Sequence, residues 1–307
     1  MKFAYFFIGT TSEFIKIAPI LKELRRRKIP FKIISAGQTK IHFEDLKGYL
    51  GKIKVNIALK EKLNKASVVH FIYWAIRTLV TTPFVLYKEF KGKTKANTYF
   101  IIFGDPVAST IGAIVAKIFN LTLVHIESGD LSFNFLEPFP EEFCRNINIR
   151  LADIMFAPTA WAKRNLEKMK LFGKKFDTTQ NTIYEVCMWA KKVGKLPTFS
   201  KKYKKFYLLI MHRQEHVIFR RDWTKKILEL VIKNARQDLD CLIPSHPHTV
   251  MIIQSLQKSW SISLKKRVHL IPWITYLEFI KMVEKAEFVA TDGASNQQEV
   301  YYLGKPC

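Results

Sequence analysis

Short apolar runs alternate with longer, helix-patterned segments along most of the chain. In the first half, runs rich in apolar and β-branched residues predict strands, and apolar positions three or four apart predict helices. The predicted strands are 2–8, 31–35, 99–103, 121–126 and 154–157. The predicted helices are 13–28, 63–90, 108–119, 140–151 and 160–170. This βαβα alternation, with strands that are apolar throughout, predicts a parallel, doubly wound α/β sheet covered on both faces.

The pattern weakens over residues 172–205, where we predict a linker at 172–182 and an exposed, Lys-rich connection at 191–205. Beyond it the alternation restarts. The predicted strands are 206–210, 240–244, 268–271 and 288–291, and the predicted helices are 221–234, 249–258 and 276–285. We therefore predict two α/β domains, 1–175 and 176–307. The final YYLGKPC resembles the start of another strand, so the second domain is expected to be incomplete.

Composition supports a folded chain with an unusual charge. Its 24 Phe, 11 Tyr and 6 Trp supply enough apolar area to exclude a wholly disordered protein. The 50 Lys+Arg against 26 Asp+Glu give a net charge of +24. This charge favours an anionic partner: a nucleotide-sugar, a nucleic acid or an acidic membrane surface. The basic residues are spread along the chain, so a specific nucleic-acid tail is not expected, and a generally Lys-rich proteome is the alternative explanation.

One apolar stretch, residues 67–87, raises the question of a membrane. It contains His70 and Arg77 and is interrupted by Pro83, all of which a spanning helix tolerates only at a cost. We predict a largely buried helix, with weak attachment to an anionic membrane surface as the alternative.

Cysteine usage and the N-terminus bear on location. The four cysteines have neither disulfide-framework nor zinc spacing, which indicates a reducing cytoplasm and no metal site. The opening MKFAYFFIGTT is apolar for only a few residues and leads into a turn, so it predicts a first strand rather than a signal peptide.

Two acids follow directly after predicted strands of the first half. Asp105 comes after YFIIF and Gly104, and Glu127 directly follows LTLVHI. Ligands of open parallel sheets bind beyond the carboxyl ends of the strands, so neighbouring strands would place both carboxylates in one crevice. Together they can supply a base and a partner that raises its pKa. Capping of the following helix is the alternative role for each.

A third charged group lies in the segment PFPEEFCR. Pro140 suits a first helical turn, where Glu141 and Glu142 face the positive end of the helix dipole. Arg145 lies four residues after Glu141, on the same helical face. The spacing alone favours a well-started helix with one ion pair, and proton handling is the functional alternative.

The second half offers groups suited to an anion. The candidates are His212 and Arg213 after a strand, His246, and, in the loop TDGASNQQE, Gly293, Ser295 and Glu299. This loop joins a strand to a helix, so its backbone N–H groups suit a diphosphate. Glu299 suits ribose hydroxyls. The alternative is an ordinary turn with Asp292 or Ser295 as N-cap. The chain lacks the glycine motifs of NAD enzymes and P-loop NTPases, which argues against both.

Taken in order, five segments resemble those of the non-hydrolysing UDP-N-acetylglucosamine 2-epimerase family. The first, GTTSEFIKIAP, is similar to the family's Gly-Thr-Arg-Pro-Glu followed by Ile-Lys and Ala-Pro. The others are FGDPVAST, HIESG with PFPEEFCR, HRQE and TDGASNQQEVYYLGKP. PFPEE with HIES upstream is the most specific of them. The family pattern continues beyond Gly-Lys-Pro, so the resemblance implies a C-terminally truncated chain.

The resemblance implies a fold and a reaction. The fold is two Rossmann-like domains in the glycosyltransferase type B arrangement, in a cytoplasmic homodimer. The reaction inverts C2 of UDP-N-acetylglucosamine, giving UDP-N-acetylmannosamine for polysaccharide biosynthesis, by eliminating UDP and adding it back. It needs neither metal nor redox cofactor. A carboxylate must remove the weakly acidic C2 proton, and the departing diphosphate needs cationic and N–H stabilisation.

The resemblance also implies roles for individual residues. Asp105, Glu127 and Glu141 would handle protons, with His212 as a helper near the diphosphate. Arg145 would hold Glu141 or the substrate. The implied substrate-binding set is Lys16, Gln38, Arg145, Arg213, His246, Gly293, Ser295 and Glu299.

Several positions depart from the family pattern. Thr11 replaces the Arg of the opening motif, and Gly129-Asp130-Leu131 replaces Gly-Leu-Arg, so two cations are lost. Each would cost roughly 1.5–3 kcal/mol beside a diphosphate if uncompensated. The sequence therefore leaves alternatives open: a hydrolysing epimerase or nucleotide-sugar glycosyltransferase of the same fold, or a degenerate basic binding protein.

Overall fold

The computed structural model describes residues 2–61, 68–135, 137–211, 213, 216 and 220–307. The chain forms two compact units that divide between Val186 and Cys187. Each unit contains a parallel sheet and helices, which confirms the predicted α/β class.

The first unit is built on a seven-stranded parallel sheet in the order β3-β2-β1-β4-β5-β6-β7. Its strands are β1 Phe3–Ile8, β2 Phe31–Ser35, β3 Ile57–Ala58, β4 Thr98–Phe103, β5 Thr122–Ile126, β6 Ile154–Ala157 and β7 Lys174–Asp177. Its helices are α1 Thr11–Arg26, α2 Lys47–Leu50, α3 Val68–Phe90, α4 Val107–Ile118, α5 Glu141–Leu151 and α6 Ala160–Lys168. A further helix, α7 Ile183–Val193, crosses the division between the units.

The core of the first unit lies between the sheet and its helices. Phe7 of β1 and Phe100 of β4 are fully buried and belong to one apolar cluster with Trp74 of α3 and Ile111 of α4. Gly112 lets α4 approach the sheet closely, because a Cβ there would lie 2.8 Å from the Phe7 ring. Strands buried on both faces explain the apolar runs of the sequence.

The prediction that the long apolar helix is largely buried is wrong. On α3, one row of side chains is buried, namely Trp74, Thr78, Thr82, Leu86 and Phe90. The opposite face is apolar and exposed: Val69, Ile72, Tyr73, Ile76, Val80, Phe84 and Tyr87. Since this helix is apolar almost all round, its sequence carries no polar face to show which side packs against the sheet.

The prediction of a linker over residues 172–182 is wrong in part, because residues 174–177 form β7, which pairs with β6. The predicted Lys-rich connection over 191–205 begins within α7, which spans residues 183–193. Because β7 extends the first sheet, the division between the units falls beyond the predicted boundary at residue 175.

The second unit has a four-stranded parallel sheet in the order β10-β9-β8-β11. Its strands are β8 Phe206–Ile210, β9 Asp240–Pro244, β10 Val268–Ile271 and β11 Val289–Thr291. Its helices are α8 Arg221–Asn234, α9 Pro247–Gln257, α10 Ile262–Arg267, α11 Tyr276–Lys285 and α12 Ala294–Tyr302. Tyr207, Leu228, Ile243 and Ile253 lie in its apolar core. The sequence predicted these strands and all of these helices except the short α10.

Candidate active site

Two neighbouring strands deliver the first two candidate acids. β4 pairs with β5 in parallel, with Phe103 opposite Ile126. The Gly104 N–H continues the ladder to the Ile126 carbonyl at 2.9 Å. Asp105 and Glu127 therefore follow adjacent strands at the same edge of the sheet, which is the condition that the sequence analysis set for a shared crevice.

Glu127 is held by a nearly buried ion pair with α1. The Lys16 Nζ donates to both carboxylate oxygens, at 2.8 and 2.7 Å. Only 8% of the Lys16 side chain and 14% of the Glu127 side chain are exposed. The same Nζ lies 5.5 Å from the centroid of the Phe103 ring. The backbone of Glu127 has a φ of 60°, a left-handed conformation uncommon for a non-glycine residue. Glu127 is thus fixed in direction.

Asp105 is held from the other side by α5. The Arg145 guanidinium forms an ion pair with Asp105 and a second one, at 3.2 Å, with Glu142. Glu142 is 1% exposed and also accepts the Phe133 N–H at 3.2 Å. The described ion pairs of Arg145 therefore go to Asp105 and Glu142, and the predicted pairing with Glu141 is not among them.

Glu141 begins α5, as the position of Pro140 led us to expect. Burial is the main cause that raises the pKa of the Cys144 thiol to about 11, and the charges of Asp105 and Glu141 add to it. Both carboxylates therefore lie close enough to Cys144 to act on the same thiol. This places the first turn of α5 beside the end of β4.

Asp130 is a further acid near this edge, which the sequence did not indicate as a site residue. Burial raises its pKa, and so do the negative charges of Glu127 and Asp105, while Arg145 and Lys16 lower it. The charges of both ion pairs, Lys16 with Glu127 and Arg145 with Asp105, therefore act on the Asp130 carboxyl. Its position three residues after Glu127 was the available signal, but it was noted only as part of a lost arginine motif.

A buried histidine supports the turn that carries Asp105. His125 is fully buried in β5, and its Nε2 lies 2.9 Å from the Gly104 carbonyl. The Asn148 amide donates to the same carbonyl at 3.2 Å. Burial lowers the pKa of His125 to about 4, so the ring is neutral near pH 7 and donates from Nε2.

Gln38 has a structural contact that the sequence did not reveal. Its Oε1 accepts the Ala108 N–H at 3.0 Å, at the start of α4. The β1–α1 turn passes close by, because a Cβ on Gly9 would lie 2.4 Å from the Ala108 Cβ. Gln38 therefore fixes the N-terminus of α4. Its predicted role in binding substrate stays a prediction.

Glu13 is buried in the β1–α1 turn. Its carboxylate accepts the Gly9 N–H at 2.9 Å and the hydroxyls of Thr10 and Ser109, each at 2.9 Å. The Ser109 hydroxyl also lies 2.6 Å from the Phe103 carbonyl. Burial raises the pKa of Glu13 to about 7. This network ties α1, which carries Lys16, to the end of β4.

The corresponding edge of the second sheet has a different chemistry. β8 lies between β9 and β11. Asp292, just after β11, accepts the Arg213 backbone N–H at 3.1 Å and lies 3.0 Å from His216 Nδ1. The segment after β8 is therefore fixed to the end of β11.

The predicted diphosphate loop opens α12. Gly293 is the N-cap of this helix, rather than Asp292 or Ser295, and its N–H donates to Thr291 Oγ1 at 3.0 Å. Glu299 is 3% exposed and accepts the Asn296 amide at 3.1 Å. Burial and Glu299 both raise the pKa of Tyr276. A buried Glu299 held by protein groups is a structural role that the sequence did not indicate.

Two histidines, His246 and His212, remain among the predicted site residues. His246 is the N-cap of α9, beyond the end of β9. The predicted helper His212 lies outside the described residues. In the described part of the chain, no group of three or more His, Cys, Asp and Glu side chains could hold a metal ion.

The fold and site together define a class: an α/β enzyme of two parallel-sheet units. In the first unit, carboxylates cluster at the carboxyl ends of the strands, and in the second unit a helix begins at the corresponding strand ends. The comparisons identify the family within that class. A family model described as UDP-N-acetylglucosamine 2-epimerase matches residues 80–307, most of the chain. The chain belongs to this family.

Individual relatives agree with this assignment. The UDP-N-acetylglucosamine 2-epimerase of Methanocaldococcus jannaschii is 27% identical over 98% of this chain and 81% of its own length. The crystal structure of the Neisseria meningitidis UDP-GlcNAc 2-epimerase bound to UDP-GlcNAc is 26% identical, with a TM-score of 0.79, over 100% of this chain and 81% of that one. A Pseudomonas aeruginosa UDP-2,3-diacetamido-2,3-dideoxy-D-glucuronate 2-epimerase is 28% identical over 67% of this chain and 56% of its own length.

Proposed function

We propose that this chain epimerises C2 of UDP-N-acetylglucosamine to give UDP-N-acetylmannosamine. The observation that carries the proposal is the set of acids at the ends of β4 and β5 and the start of α5, in a chain of this family. Asp105, Glu127 and Glu141 are the proton-handling acids.

The reaction has two balanced halves. A carboxylate takes the C2 proton while the C1–O bond breaks, its electron pair leaves with UDP, and a C1–C2 double bond forms. A carboxylic acid then returns a proton to the opposite face of C2 as UDP adds back to C1. Inversion requires acid–base groups on two faces, which supports a role for acids from three separate segments. Lys16 and Arg145 offset their charge.

In the second unit, the start of α12 and the strand-end cations serve the UDP. Backbone N–H groups after Gly293 and Ser295 are suited to the diphosphate, because a helix N-terminus carries partial positive charge. Arg213 and His246 follow β8 and β9. His212 follows β8 in the sequence.

Two family arginines are replaced by residues with other contacts. Thr11 Oγ1 donates to the Lys40 carbonyl and accepts the His42 N–H, both at 3.2 Å. Leu131 is 6% exposed and packs in an apolar cluster with Ile149 and Leu166. Neither position supplies a cation. In this proposal the positive charge near the acids therefore comes from Lys16 and Arg145.

The test is to follow UDP-N-acetylglucosamine with the purified protein by NMR. We expect an equilibrium mixture of the two UDP-sugars and no free sugar. Free N-acetylmannosamine with UDP would indicate a hydrolysing epimerase, and a glycosylated acceptor would indicate a transferase. Conversion of no UDP-hexosamine at all would contradict the proposal. A matched control is Glu44→Gln, whose side chain is 85% exposed and which lies outside the acid cluster.

The exposed apolar face of α3 supports a homodimer. Val69, Tyr73, Ile76 and Val80 follow the alternating spacing of four and three residues that is typical of helix–helix seams, and Tyr87 lies seven residues beyond Val80. Arg77, beside this stripe, donates to the Lys60 and Glu61 carbonyls. An uncharged stripe of this kind suits a second copy of the same helix.

Size-exclusion chromatography with light scattering tests the dimer. Ile76→Glu and Phe84→Glu are expected to give monomers, whereas Phe172→Glu, exposed elsewhere on the first unit, leaves the dimer intact. A monomeric wild type that binds anionic vesicles through this face would favour membrane-surface attachment instead.

α3 is the one helix in the described part of the chain that is long and apolar enough to cross a membrane by length and composition. Its buried row, which includes Trp74 and Leu86, contributes to the core of the first unit. We therefore place the helix within the folded enzyme, and the four free cysteines favour a cytoplasmic location.

A further inference from the structure

The second unit has a cavity of about 520 Å³ at the amino-terminal edge of its sheet. One wall comes from the end of α8, which precedes β9, and the other from α10 and the residues before it, which lead into β10. The helix N-terminus proposed for the diphosphate follows β11, at the opposite, carboxyl-terminal edge of the same sheet. The cavity is therefore separate from the proposed UDP site.

The buried part of the lining is apolar except for one donor. Trp260 and Leu264 line the cavity and belong to the core cluster of the second unit, with 5% and 9% of their surfaces exposed. The Nε1–H of Trp260 is buried, and it has no hydrogen-bond partner among the described residues. A buried indole N–H ordinarily has an acceptor, because burial removes its hydrogen bonds to water. The wall of the cavity therefore contains a donor that lacks an acceptor.

Two cations line the same cavity, and none of its lining residues is acidic. The Arg267 guanidinium is anchored, since its Nη1 donates to the Arg236 carbonyl at 3.0 Å. In the part of the chain that the structure describes, no ion pair involves Arg267. Lys233 pairs with Glu229 at 2.8 Å, but 57% of the lysine side chain remains exposed. The cavity therefore has an excess of positive charge and an anchored guanidinium with further N–H donors for an anion.

Two serine hydroxyls add to this set of donors. The Oγ atoms of Ser261 and Ser263, which both line the cavity, lie 3.0 Å apart. Ser261 Oγ also accepts the Leu264 N–H at 3.2 Å, as the N-cap of α10. When one hydroxyl donates to the other, the hydrogen of the second remains for a ligand. Guanidinium, ammonium, hydroxyl and indole donors thus line one cavity that has no carboxylate.

We propose that this cavity binds a small molecule that carries a phosphate group. A phosphate has more acceptor oxygens than a carboxylate and can bind a planar guanidinium through two of them, so it matches this set of donors better. The volume of about 520 Å³ lies within the range of roughly 300–1,000 Å³ that is usual for small-molecule sites. The cavity therefore has room for an organic group beside the phosphate. The proposal goes beyond the epimerase reaction, because no lining residue belongs to the proposed catalytic or UDP-binding set.

The experiment follows the indole N–H signals of the six tryptophans by NMR while ribose 5-phosphate is added to the ¹⁵N-labelled chain at constant ionic strength. Trp260→Phe assigns the Trp260 signal. We expect this signal to shift saturably, and Lys233→Met and Arg267→Met each to weaken binding by roughly tenfold. Lys265→Met is the matched control, since it removes the same charge from an exposed position of α10 that does not line the cavity. It should bind within about twofold of the wild type.

The outcomes distinguish a site from a general effect of positive charge. A Trp260 signal that ribose 5-phosphate does not shift saturably overturns the proposal. An equal loss of affinity in Lys265→Met and Lys233→Met overturns it as well, because the net charge alone would then explain binding. Ribose without a phosphate should leave the signal in place, and an equal response to ribose would contradict recognition of the phosphate. Unchanged signals of the other tryptophans show that each variant is folded.

Discussion

The carboxyl edges of the two sheets have the same backbone geometry and opposite chemistry. In the first unit, acids follow β4 and β5 and are held by Lys16 and Arg145. In the second unit, the edge carries a helix N-terminus at Gly293 and the acid Asp292, engaged by the Arg213 backbone and His216. Parallel sheets place ligands at this edge whatever the chemistry, so the side chains decide the function.

From this difference we propose separate tasks for the two units. A carboxylate-rich edge can exchange protons with carbon but repels a diphosphate. An edge of backbone N–H groups and cations suits a diphosphate but has no base for C2. The elimination of UDP that we propose calls for both kinds of chemistry. Substitutions at each edge in turn test whether the two tasks are separate.

The largest effect is expected from the proton-handling acids. Asp105→Asn, Glu127→Gln and Glu141→Gln each remove an acid–base group, so kcat should fall roughly 10²–10⁴-fold. UDP affinity, measured by calorimetry, should change by less than about tenfold, because the second unit supplies the UDP contacts in this account. If UDP binding is lost together with turnover, the division of tasks is wrong. Glu44→Gln again serves as the unaffected control.

The next effect concerns stability. Lys16→Met leaves the nearly buried Glu127 without its partner, so the free energy of unfolding should fall by about 3 kcal/mol. Urea unfolding measures the change. The double variant Lys16→Met/Glu127→Gln should recover part of the loss, since it no longer buries an unpaired charge. Equal loss in the single and double variants would show that the ion pair does not account for the effect.

A pH-dependent effect follows from Glu13. Its pKa in the folded chain is about 7, against an ordinary value of 4.5, mainly because of burial. The folded chain therefore keeps a proton that the unfolded chain releases, and the free energy of unfolding falls as pH rises from about 4.5 to about 7. The loss should reach up to about 3 kcal/mol and then level off. Glu13→Gln should remove this part of the slope in urea titrations. A wild-type slope that persists in the variant would contradict the assignment.

The smallest effect is expected at the second edge. Asp292→Asn replaces an acceptor of two contacts by a neutral amide, so the segment after β8 loses part of its support. We expect roughly tenfold weaker UDP binding and unchanged C2 exchange at saturating substrate. Calorimetry and kcat measured on the same preparation check this. A fall in kcat with intact UDP affinity would reverse the roles of the two edges.

Periodicity was sufficient to predict most of the fold. Strands 31–35, 206–210 and 240–244 agree residue for residue with β2, β8 and β9, because each has buried apolar residues at its centre. β7 was missed because this edge strand is largely exposed and reads Lys-Lys-Phe-Asp. Charged residues on an edge strand protect it from pairing with other chains. They also remove the hydrophobic pattern by which a strand is predicted.

Contacts between distant segments limited the prediction of the site. The positions of Asp105 and Glu127 followed from strand ends, but the partners of Arg145 did not. Sequence spacing suggested Glu141, whereas the fold brings Asp105, forty residues earlier in the chain, to the guanidinium. Asp130 was likewise hidden, because its environment depends on Gly129 packing against α6. The exposed face of α3 could not be predicted either, because the sequence does not show which side of the helix packs against the sheet.

The most direct test of the central claim is the hydrogen at C2 when the reaction runs in D2O. If the acids of the first edge remove and return the C2 proton, mass spectrometry and NMR should show deuterium at C2 in every product molecule, and Asp105→Asn should suppress this incorporation together with turnover. UDP-N-acetylmannosamine that forms in D2O yet retains its original hydrogen at C2 would contradict the account.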